Sequence, residues 1–190
     1  MFRLYAILIG YVFGCFQTSF FLGKIYKIDI REHGSGNAGF TNANRVLGKK
    51  IGIIVFIADI LKAVLAYFLC KLLFKNELFG VWSGFGVILG HDFPFFLNFK
   101  GGKGIASTIG LVLAYNWRLA IIAYVLGIMA VFLSHKISVG SLVFVLSLPF
   151  IFFNYPTEIM FLFVAISILA FWQHRSNIDR ILNHKEPNFF

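Results

Sequence analysis

Long apolar runs recur from one end of the chain to the other, and this feature limits its fold more than any other. The 190 residues are 59% hydrophobic and have a mean hydropathy of +0.83, values that exclude an ordinary soluble domain. The two cysteines, Cys15 and Cys70, both lie inside apolar runs, so their positions indicate neither a disulfide framework nor a metal site. We therefore expect an integral membrane protein.

The apolar runs, counted against the roughly 20 residues that a helix needs to cross a bilayer, predict seven membrane-spanning helices. Their expected bounds are 4–23, 51–74, 79–97, 105–116, 118–134, 137–153 and 157–173. The first run follows Arg3 and resembles a removable signal peptide in part, but Gln17 and the apolar residues after it favour a retained span. Apart from the long polar segment 24–50, only brief turns separate the runs, so there is no sign of a second domain or a linker. We therefore expect one all-α domain over residues 1–190, an integral membrane bundle of seven transmembrane helices.

Most of the 17 Lys and Arg residues fall on one of the two membrane faces that seven spans define. That face would collect the segment 24–50, the loop 98–104, the turn 135–136 and the tail 174–190. The positive-inside rule makes this face cytoplasmic, with the N-terminus outside and the C-terminus inside. Contacts with anionic lipid explain many of these cations, but they do not require the glycines and asparagines that lie among them.

The first of three polar clusters on this face runs from His33 to Arg45. It combines alternating glycines, among them Gly36, with the hydroxyls of Ser35 and Thr41, several Asn amides and one guanidinium. A flexible loop is one interpretation of such a composition. The density of hydrogen-bond donors favours the other, tight backbone turns around an oxyanion.

The second cluster runs from Gly90 to Gly104 and contains the sequence Lys100-Gly101-Gly102-Lys103-Gly104. Glycines let backbone N–H groups approach a ligand closely, and flanking lysines favour a phosphate as that ligand. The spacing differs from that of a nucleotide P-loop. His91 lies near Pro94, a residue that can interrupt a helix. It is a candidate general base, although a structural hydrogen-bonding role is more common at such a place.

The third cluster, Gln173–Arg180, places His174 and Asn177 three residues apart, so they share one face of a helix. A further polar pair, Asp59 and Lys62, lies inside the second predicted span. Because unpaired charge is costly there, two interpretations stand: the pair holds helices together, or it borders the active site.

These clusters resemble the motifs of the bacterial acyl-phosphate:glycerol-3-phosphate acyltransferases, the PlsY family. The first family motif is similar to Gly34–Gly48, with Phe40 where the family has Ala. The second matches in full over Gly90–Gly104, and the third matches over His174–Arg180, with Gln173 where Arg is common. Motif order, spacing, chain length and span count agree, so the resemblance covers essentially the whole chain.

The resemblance implies that the chain transfers a fatty acyl group from acyl phosphate to the 1-hydroxyl of sn-glycerol 3-phosphate. The products would be lysophosphatidate and phosphate, in the first acylation of bacterial phospholipid synthesis. It also implies a multi-pass protein of the bacterial inner membrane whose active site faces the cytoplasm. No metal, cofactor or nucleic acid is expected; membrane lipid and the enzyme that makes acyl phosphate are the candidate partners besides the substrates.

The resemblance further implies roles for the polar residues. Those expected to be catalytic are Ser35, Asn37, Arg45, Lys103, His174 and Asn177, and those expected to bind substrate are Gly36, Thr41, Asn42, His91, Lys100, Gly101, Gly102 and Gly104. The glycerol phosphate would be held by Ser35, Arg45, Lys103, His174 and Asn177. The acyl phosphate would contact Asn37, Asn42 and the amides of Gly101 and Gly102. The proton acceptor stays open between His174 and the substrate's own phosphate.

Two other functional classes compete with an acyltransferase. A transporter for an organic phosphate would also use a cationic, glycine-interrupted site, but it favours a site near mid-membrane and often an internal repeat. The clusters gather on one face, and the sequence shows no repeat. A structural subunit that binds anionic headgroups would need the cations but not the asparagines.

Overall fold

Every regular element of the chain is helical. The computed structural model describes residues 1–190. Its α-helices are α1 Phe2–Cys15, α2 Thr18–Ile25, α3 Phe40–Leu47, α4 Lys49–Leu73, α5 Glu77–Asp92, α6 Ile105–Tyr115, α7 Trp117–Ser134, α8 Ile137–Ile151, α9 Thr157–Gln173 and α10 Arg175–Leu182. Single 3-10 turns lie at Ile30–Glu32 and Phe95–Leu97. The prediction of an all-helical chain is confirmed.

Each of the seven expected spans coincides with helix, but two differ in detail. The first is broken at Phe16 and Gln17, so α1 and α2 follow one another with a short interruption. The third ends at Asp92 rather than at 97, because Pro94 lacks an amide hydrogen and disfavours helical geometry in the residue before it.

By length and composition, three segments are able to cross a membrane: Phe2–Ile25, Lys49–Leu73 and Trp117–Ser134. A fourth is added if α9 and α10, which meet at 60°, count as one broken span. The helices α6 and α8 are apolar but shorter. The seven crossings and the orientation of the termini therefore stay predictions.

The chain divides into two compact units, Met1–Tyr115 and Asn116–Phe190. In the first unit α1 packs against α5, and α4 packs against α3, α5 and α6. Glycines bring the backbones of α1 and α5 together, since a Cβ at any of four positions would overlap the opposite main chain: Gly10, Gly14, Gly86 and Gly90. Small residues serve the same purpose wherever membrane helices pack closely.

The second unit contains α7 to α10. Its helices α7 and α8 approach at Gly127 and Gly140, each of which faces the other's backbone carbonyl. The Ser167 hydroxyl on α9 donates to the Val145 carbonyl on α8 at 2.6 Å. The C-terminal tail returns to this unit, where the Phe189 amide donates to the His135 carbonyl at 2.7 Å.

Large apolar side chains stay exposed along the helices. Leu65 and Leu72 on α4, Ile121 on α7 and Ile168 on α9 are each at least half exposed. Exposed apolar patches on this scale indicate contact with lipid or with another protein. The pattern agrees with a helical membrane protein.

Replacement of Gly86 by Ala tests the close approach of α1 and α5, because the new Cβ would overlap the Ile7 carbonyl. Overpacking of this kind costs about 1–3 kcal/mol, so we expect a lower thermal unfolding midpoint in detergent. Val125→Leu on α7, where the side chain is 48% exposed, is the control and keeps the wild-type midpoint. An unchanged midpoint for Gly86→Ala would show that the helices do not meet as described.

Candidate active site

The break in the first span is tied to α4 by Lys62. The Lys62 ammonium donates to the Gly14 carbonyl at 3.2 Å and to the Phe16 carbonyl at 3.1 Å. The Gln17 side-chain amide donates to the Gly14 carbonyl at 3.3 Å and to the His91 carbonyl at 2.8 Å. Irregular backbone inside a membrane protein is tolerated when protein groups satisfy it in this way.

Lys62 also contacts two buried titratable side chains. Its Nζ lies 2.8 Å from Asp59 Oδ1 and 2.8 Å from His91 Nδ1. The three ammonium hydrogens of Lys62 are donated to the two carbonyls and to His91 Nδ1. Asp59 Oδ1 accepts no aligned hydrogen bond, so the Asp59 carboxylate acts as a counter-ion. Of the two interpretations of Asp59 and Lys62, the helix-joining one is confirmed, because the pair links α1, α4 and α5.

The Gly101 and Gly102 amides point back to the end of α5. Gly101 N donates to the Asp92 carbonyl at 3.1 Å, and Gly102 N donates to the His91 carbonyl at 2.9 Å. A Cβ at Gly101 would overlap the His91 carbonyl, and one at Gly102 would overlap the His91 ring. Both glycines are thus needed for close packing, and their amides donate within the chain; that these amides bind the acyl phosphate stays a prediction.

His91 is buried beneath the Gly101–Gly102 loop. Only 2% of the residue is exposed, and its Nδ1 accepts from Lys62. Its surroundings agree with the structural role that is the more common alternative, and substrate binding by His91 stays a prediction.

Asn42 holds the first polar cluster in shape. Its side chain is buried, accepts from the Ser35 amide at 2.8 Å, and donates at 3.0 Å to the carbonyls of both Ile30 and His33. Gly34, with φ +62°, passes so close to Asn42 that a Cβ would overlap its amide oxygen. The hydrogen-bonding groups of Asn42 are used within the chain, which gives it a structural role; its contact with the acyl phosphate stays a prediction.

The structure joins the first and second clusters at the Gly101 carbonyl. This oxygen accepts from the Ala38 amide at 3.3 Å and from the Asn37 side-chain amide at 3.4 Å. Ala38 is held in turn by Ser19, whose hydroxyl donates to its carbonyl at 2.6 Å. Two loops that are more than 60 residues apart therefore form one surface.

Six predicted side chains of the first unit stay at least partly accessible: Ser35, Asn37, Thr41, Arg45, Lys100 and Lys103. Thr41 and Arg45 share a face of α3, since they are four residues apart. The other two predicted positions are Gly36 and Gly104, each with a φ of +70°. Glycine adopts this left-handed backbone conformation without strain, so both residues shape the chain. Gly104 leads directly into α6, where the Thr108 hydroxyl donates to its carbonyl.

In the second unit His174 marks the break between α9 and α10. It is buried, and its Nδ1 lies 2.7 Å from the Ala170 carbonyl oxygen. Because a carbonyl only accepts, Nδ1 carries the hydrogen, and the neutral ring presents Nε2 as an acceptor. This tautomer suits a proton acceptor.

Asn177 and Arg180 hold a buried carboxylate from the tail. Asn177 Nδ2 donates to Glu186 Oε1 at 2.7 Å, and Arg180 Nε donates to Glu186 Oε2 at 2.7 Å. Burial raises the pKa of the Glu186 carboxyl, but these hydrogen bonds outweigh burial and leave the pKa below its ordinary value of 4.5. Glu186 was not among the predicted residues, because no motif spacing marks it.

The sequence reasoning also missed Ser19 and the structural part played by Gln17. A single Gln within an apolar run is a usable signal, since buried polar side chains in membrane helices need partners. Ser19 gives no such signal, because small hydroxyl residues are common in membrane helices and bond within their own helix.

The chain is similar to known proteins over nearly its whole length. The glycerol-3-phosphate acyltransferase family matches residues 4–184. A glycerol-3-phosphate acyltransferase of Alkaliphilus metalliredigens is 40% identical over 182 residues, covering 95% of this chain and 93% of that protein. One from Prochlorococcus marinus (strain NATL1A) is 36% identical over 192 residues and covers 97% of both chains.

Two solved structures are similar over nearly the whole chain. Both are of PlsY (YgiH), described as an integral membrane glycerol 3-phosphate acyltransferase. Its glycerol 3-phosphate form has a TM-score of 0.92 and 31% identity, covering 99% of this chain and 96% of that one. Its lysophosphatidic acid form has a TM-score of 0.89 and 30% identity, covering 99% and 95%. None of these similarities supports the transporter alternative.

Asn37 and Asn42 provide a matched test of the structural role of Asn42. Asn42→Ala leaves the Ser35 amide and two carbonyls without their partner, at a cost of about 1–3 kcal/mol for each buried group left unpaired, so we expect a lower unfolding midpoint. Asn37→Ala removes one long hydrogen bond at a partly exposed position and keeps the midpoint within a few degrees. The measurement is thermal unfolding in detergent; equal midpoints for the two variants would show that Asn42 does not hold the first polar cluster in shape.

The carboxyl of Glu186 predicts a pH dependence of stability. Because its pKa is lower in the folded protein, its contribution is complete above the ordinary value of 4.5 and is lost as the pH falls through the lowered value. We expect the loss of unfolding free energy in Glu186→Gln to be largest near neutral pH and to shrink in acid. Glu32→Gln, at an exposed acid, is the control. A difference that does not change with pH would rule out the ionised contact.

Proposed function

Because the chain belongs to the glycerol-3-phosphate acyltransferase family, we propose that it transfers a fatty acyl group from an acyl phosphate to the 1-hydroxyl of sn-glycerol 3-phosphate. The protein is a membrane acyltransferase that acylates glycerol 3-phosphate in phospholipid biosynthesis. The acyl phosphate donor and the roles of individual residues belong to the proposal.

The observation that carries the proposal is the surface formed where Asn37 and Ala38 meet the Gly101 carbonyl. This surface brings the loop of Ser35 and Asn37 beside the loop of Lys100 and Lys103. A surface of hydroxyl, amide and ammonium groups suits phosphate-bearing substrates, since charge-assisted hydrogen bonds to phosphate are the strong ones. The exposed side chains of Phe96 and Phe99, which lie just before Lys100 in the chain, suit a substrate with a fatty acyl chain.

The proposed reaction is a direct transfer. The 1-hydroxyl oxygen attacks the carbonyl carbon of the acyl phosphate, the bond from that carbon to the phosphate oxygen breaks, and phosphate leaves with the electron pair. No covalent acyl-enzyme is needed, because the mixed anhydride is already activated. Both cysteines are buried within helices, at 5% and 0% exposure, so neither is placed as a nucleophile.

The first unit is proposed to bind both anions. Ser35, Arg45 and Lys103 hold the glycerol phosphate, and Asn37 contacts the acyl phosphate. Thr41 and Lys100 lie beside them, on α3 and in the second loop, and extend the same polar surface. Cations here reduce the repulsion between two phosphates and stabilise the charge that develops on the attacked carbonyl.

The second unit is proposed to supply His174 and Asn177. The bond from His174 Nδ1 to the Ala170 carbonyl fixes the tautomer that accepts a proton at Nε2, which makes His174 the candidate acceptor of the hydroxyl proton. The substrate's own phosphate is the alternative acceptor. Asn177, like His174, is also proposed to hold the glycerol phosphate.

We further propose that the two units work as one acyltransferase domain over residues 1–190, since the family match spans residues 4–184. In this proposal seven spans cross the bacterial inner membrane, with the N-terminus outside. The excess of Lys and Arg in the segment 24–50, the loop 98–104 and the tail 174–190 supports a cytoplasmic active site.

Arg45 and Lys49 provide a matched pair of exposed cations for a kinetic test. In Arg45→Ala we expect the KM for glycerol 3-phosphate to rise about 10- to 100-fold, as for the loss of one hydrogen bond to a charged group, with little change in the KM for palmitoyl phosphate. Lys49→Ala keeps both values. The measurement is phosphate release by the purified protein at varied substrate concentrations. Equal effects of the two substitutions on both KM values would remove Arg45 from the glycerol phosphate site.

A further inference from the structure

Asp59, Lys62 and His91 form a buried network that has no assigned part in the reaction. Asp59 is 2% exposed, Lys62 6% and His91 2%, so none of them is open to a substrate. Charges inside membrane helices are expensive, and an apolar replacement of similar volume often stabilises a protein as much as a buried ion pair does. The network therefore calls for an explanation other than stability alone.

The network leads to the second polar loop through a short chain of contacts. Lys62 Nζ lies 2.8 Å from His91 Nδ1, and the His91 carbonyl accepts from Gly102 N at 2.9 Å. The Gly101 carbonyl, one residue before, accepts from Asn37. One histidine thus connects the ammonium to the loop that carries Lys100 and Lys103.

Lys62 fixes the orientation of the His91 ring. Because an ammonium only donates, Nδ1 accepts, and the ring is neutral with its hydrogen on Nε2. The Nε2 edge faces Gly102 so closely that a Cβ there would overlap the ring. A ring that turned or shifted would press on the Gly102 backbone and move the loop.

We propose that Lys62 is a positioning residue, which acts through His91 to hold the Gly101–Gly102 loop in the geometry that places Lys100 and Lys103 for the reaction. Asp59 balances the Lys62 charge, and Gln17 holds the His91 carbonyl from the other side at 2.8 Å. This inference rests on the proposed function for the roles of the two lysines. Displacement of a binding group by about 1 Å costs about 100-fold in rate, so a small shift of the loop is sufficient.

The decisive variant is the double substitution Asp59→Asn with Lys62→Met. Lys62→Met alone leaves the Asp59 carboxylate buried without a counter-ion and is expected to fold poorly. The double variant removes both charges together and keeps similar volumes; we expect it to fold, with a midpoint lowered by the loss of the Lys62 donor to the Gly14 and Phe16 carbonyls. Its kcat is expected to fall about 100-fold. Hydrogen exchange of the amides in 98–104 is expected to become faster.

Ser83→Ala is the matched control. Ser83 is a fully buried polar residue of α5 that donates to the carbonyls of Ala66 and Gly80, and it does not touch the loop. We expect a lower midpoint, wild-type kcat per folded molecule and unchanged exchange in 98–104. The two variants together separate a loss of stability from a loss of positioning.

A conservative replacement tests the ring itself. His91→Asn keeps an acceptor near the position of Nδ1 but removes the ring that abuts Gly102. We expect it to fold, with lower kcat and faster loop exchange than wild type. If the double variant keeps kcat within threefold, or loses kcat while exchange in 98–104 stays at the wild-type rate, the positioning role is overturned.

Failure of this inference is distinguishable from failure of the proposed function. If wild-type protein transfers no acyl group from palmitoyl phosphate, the proposed donor is wrong, whereas the exchange experiment needs no substrate and still reports on the loop. If the wild type is active and the double variant has the same kcat and the same amide exchange rate in 98–104, the positioning role of Lys62 is wrong and the proposed function stands.

Discussion

The contacts of the Lys62 ammonium organise much of the first unit. One side chain on α4 donates to two carbonyls at the break between α1 and α2 and to His91 on α5, while Asp59 balances its charge. In a membrane interior such charges are tolerated only when every hydrogen finds a partner. These contacts hold the end of α5, whose backbone carbonyls accept hydrogen bonds from the Gly101 and Gly102 amides. The position of the polar loop therefore depends on buried residues.

Hydropathy was sufficient to locate the helices but not their interruptions. All seven apolar runs contain helix, since a run of apolar residues can bury its backbone polar groups only by bonding within itself. The break at Phe16 and Gln17 was missed, because it depends on donors from Lys62 and from Gln17 itself rather than on a local breaker. The early end of the third run was readable from Pro94, whose effect on the preceding residues is local.

Motifs located the site region but did not reveal what each residue does in it. Glycine at 101 and 102 was read as a cradle for a phosphate, but a sequence does not show whether an amide points at a ligand or at the chain's own carbonyls. Asn37 and Asn42 look alike in the sequence, yet one is partly exposed and the other is buried and fully hydrogen-bonded. Glu186 escaped notice because its partners, Asn177 and Arg180, are brought to it by the return of the tail.

In the proposed reaction this acyltransferase takes its acyl group from an acyl phosphate and passes it directly to glycerol 3-phosphate. The most direct measurement is phosphate release and lysophosphatidate formation by the purified protein in lipid, supplied with palmitoyl phosphate, with and without sn-glycerol 3-phosphate. Direct transfer requires that both products form in equal amounts and only when the acceptor is present. Folded protein that forms neither, or that forms lysophosphatidate only from a palmitoyl thioester, would contradict it.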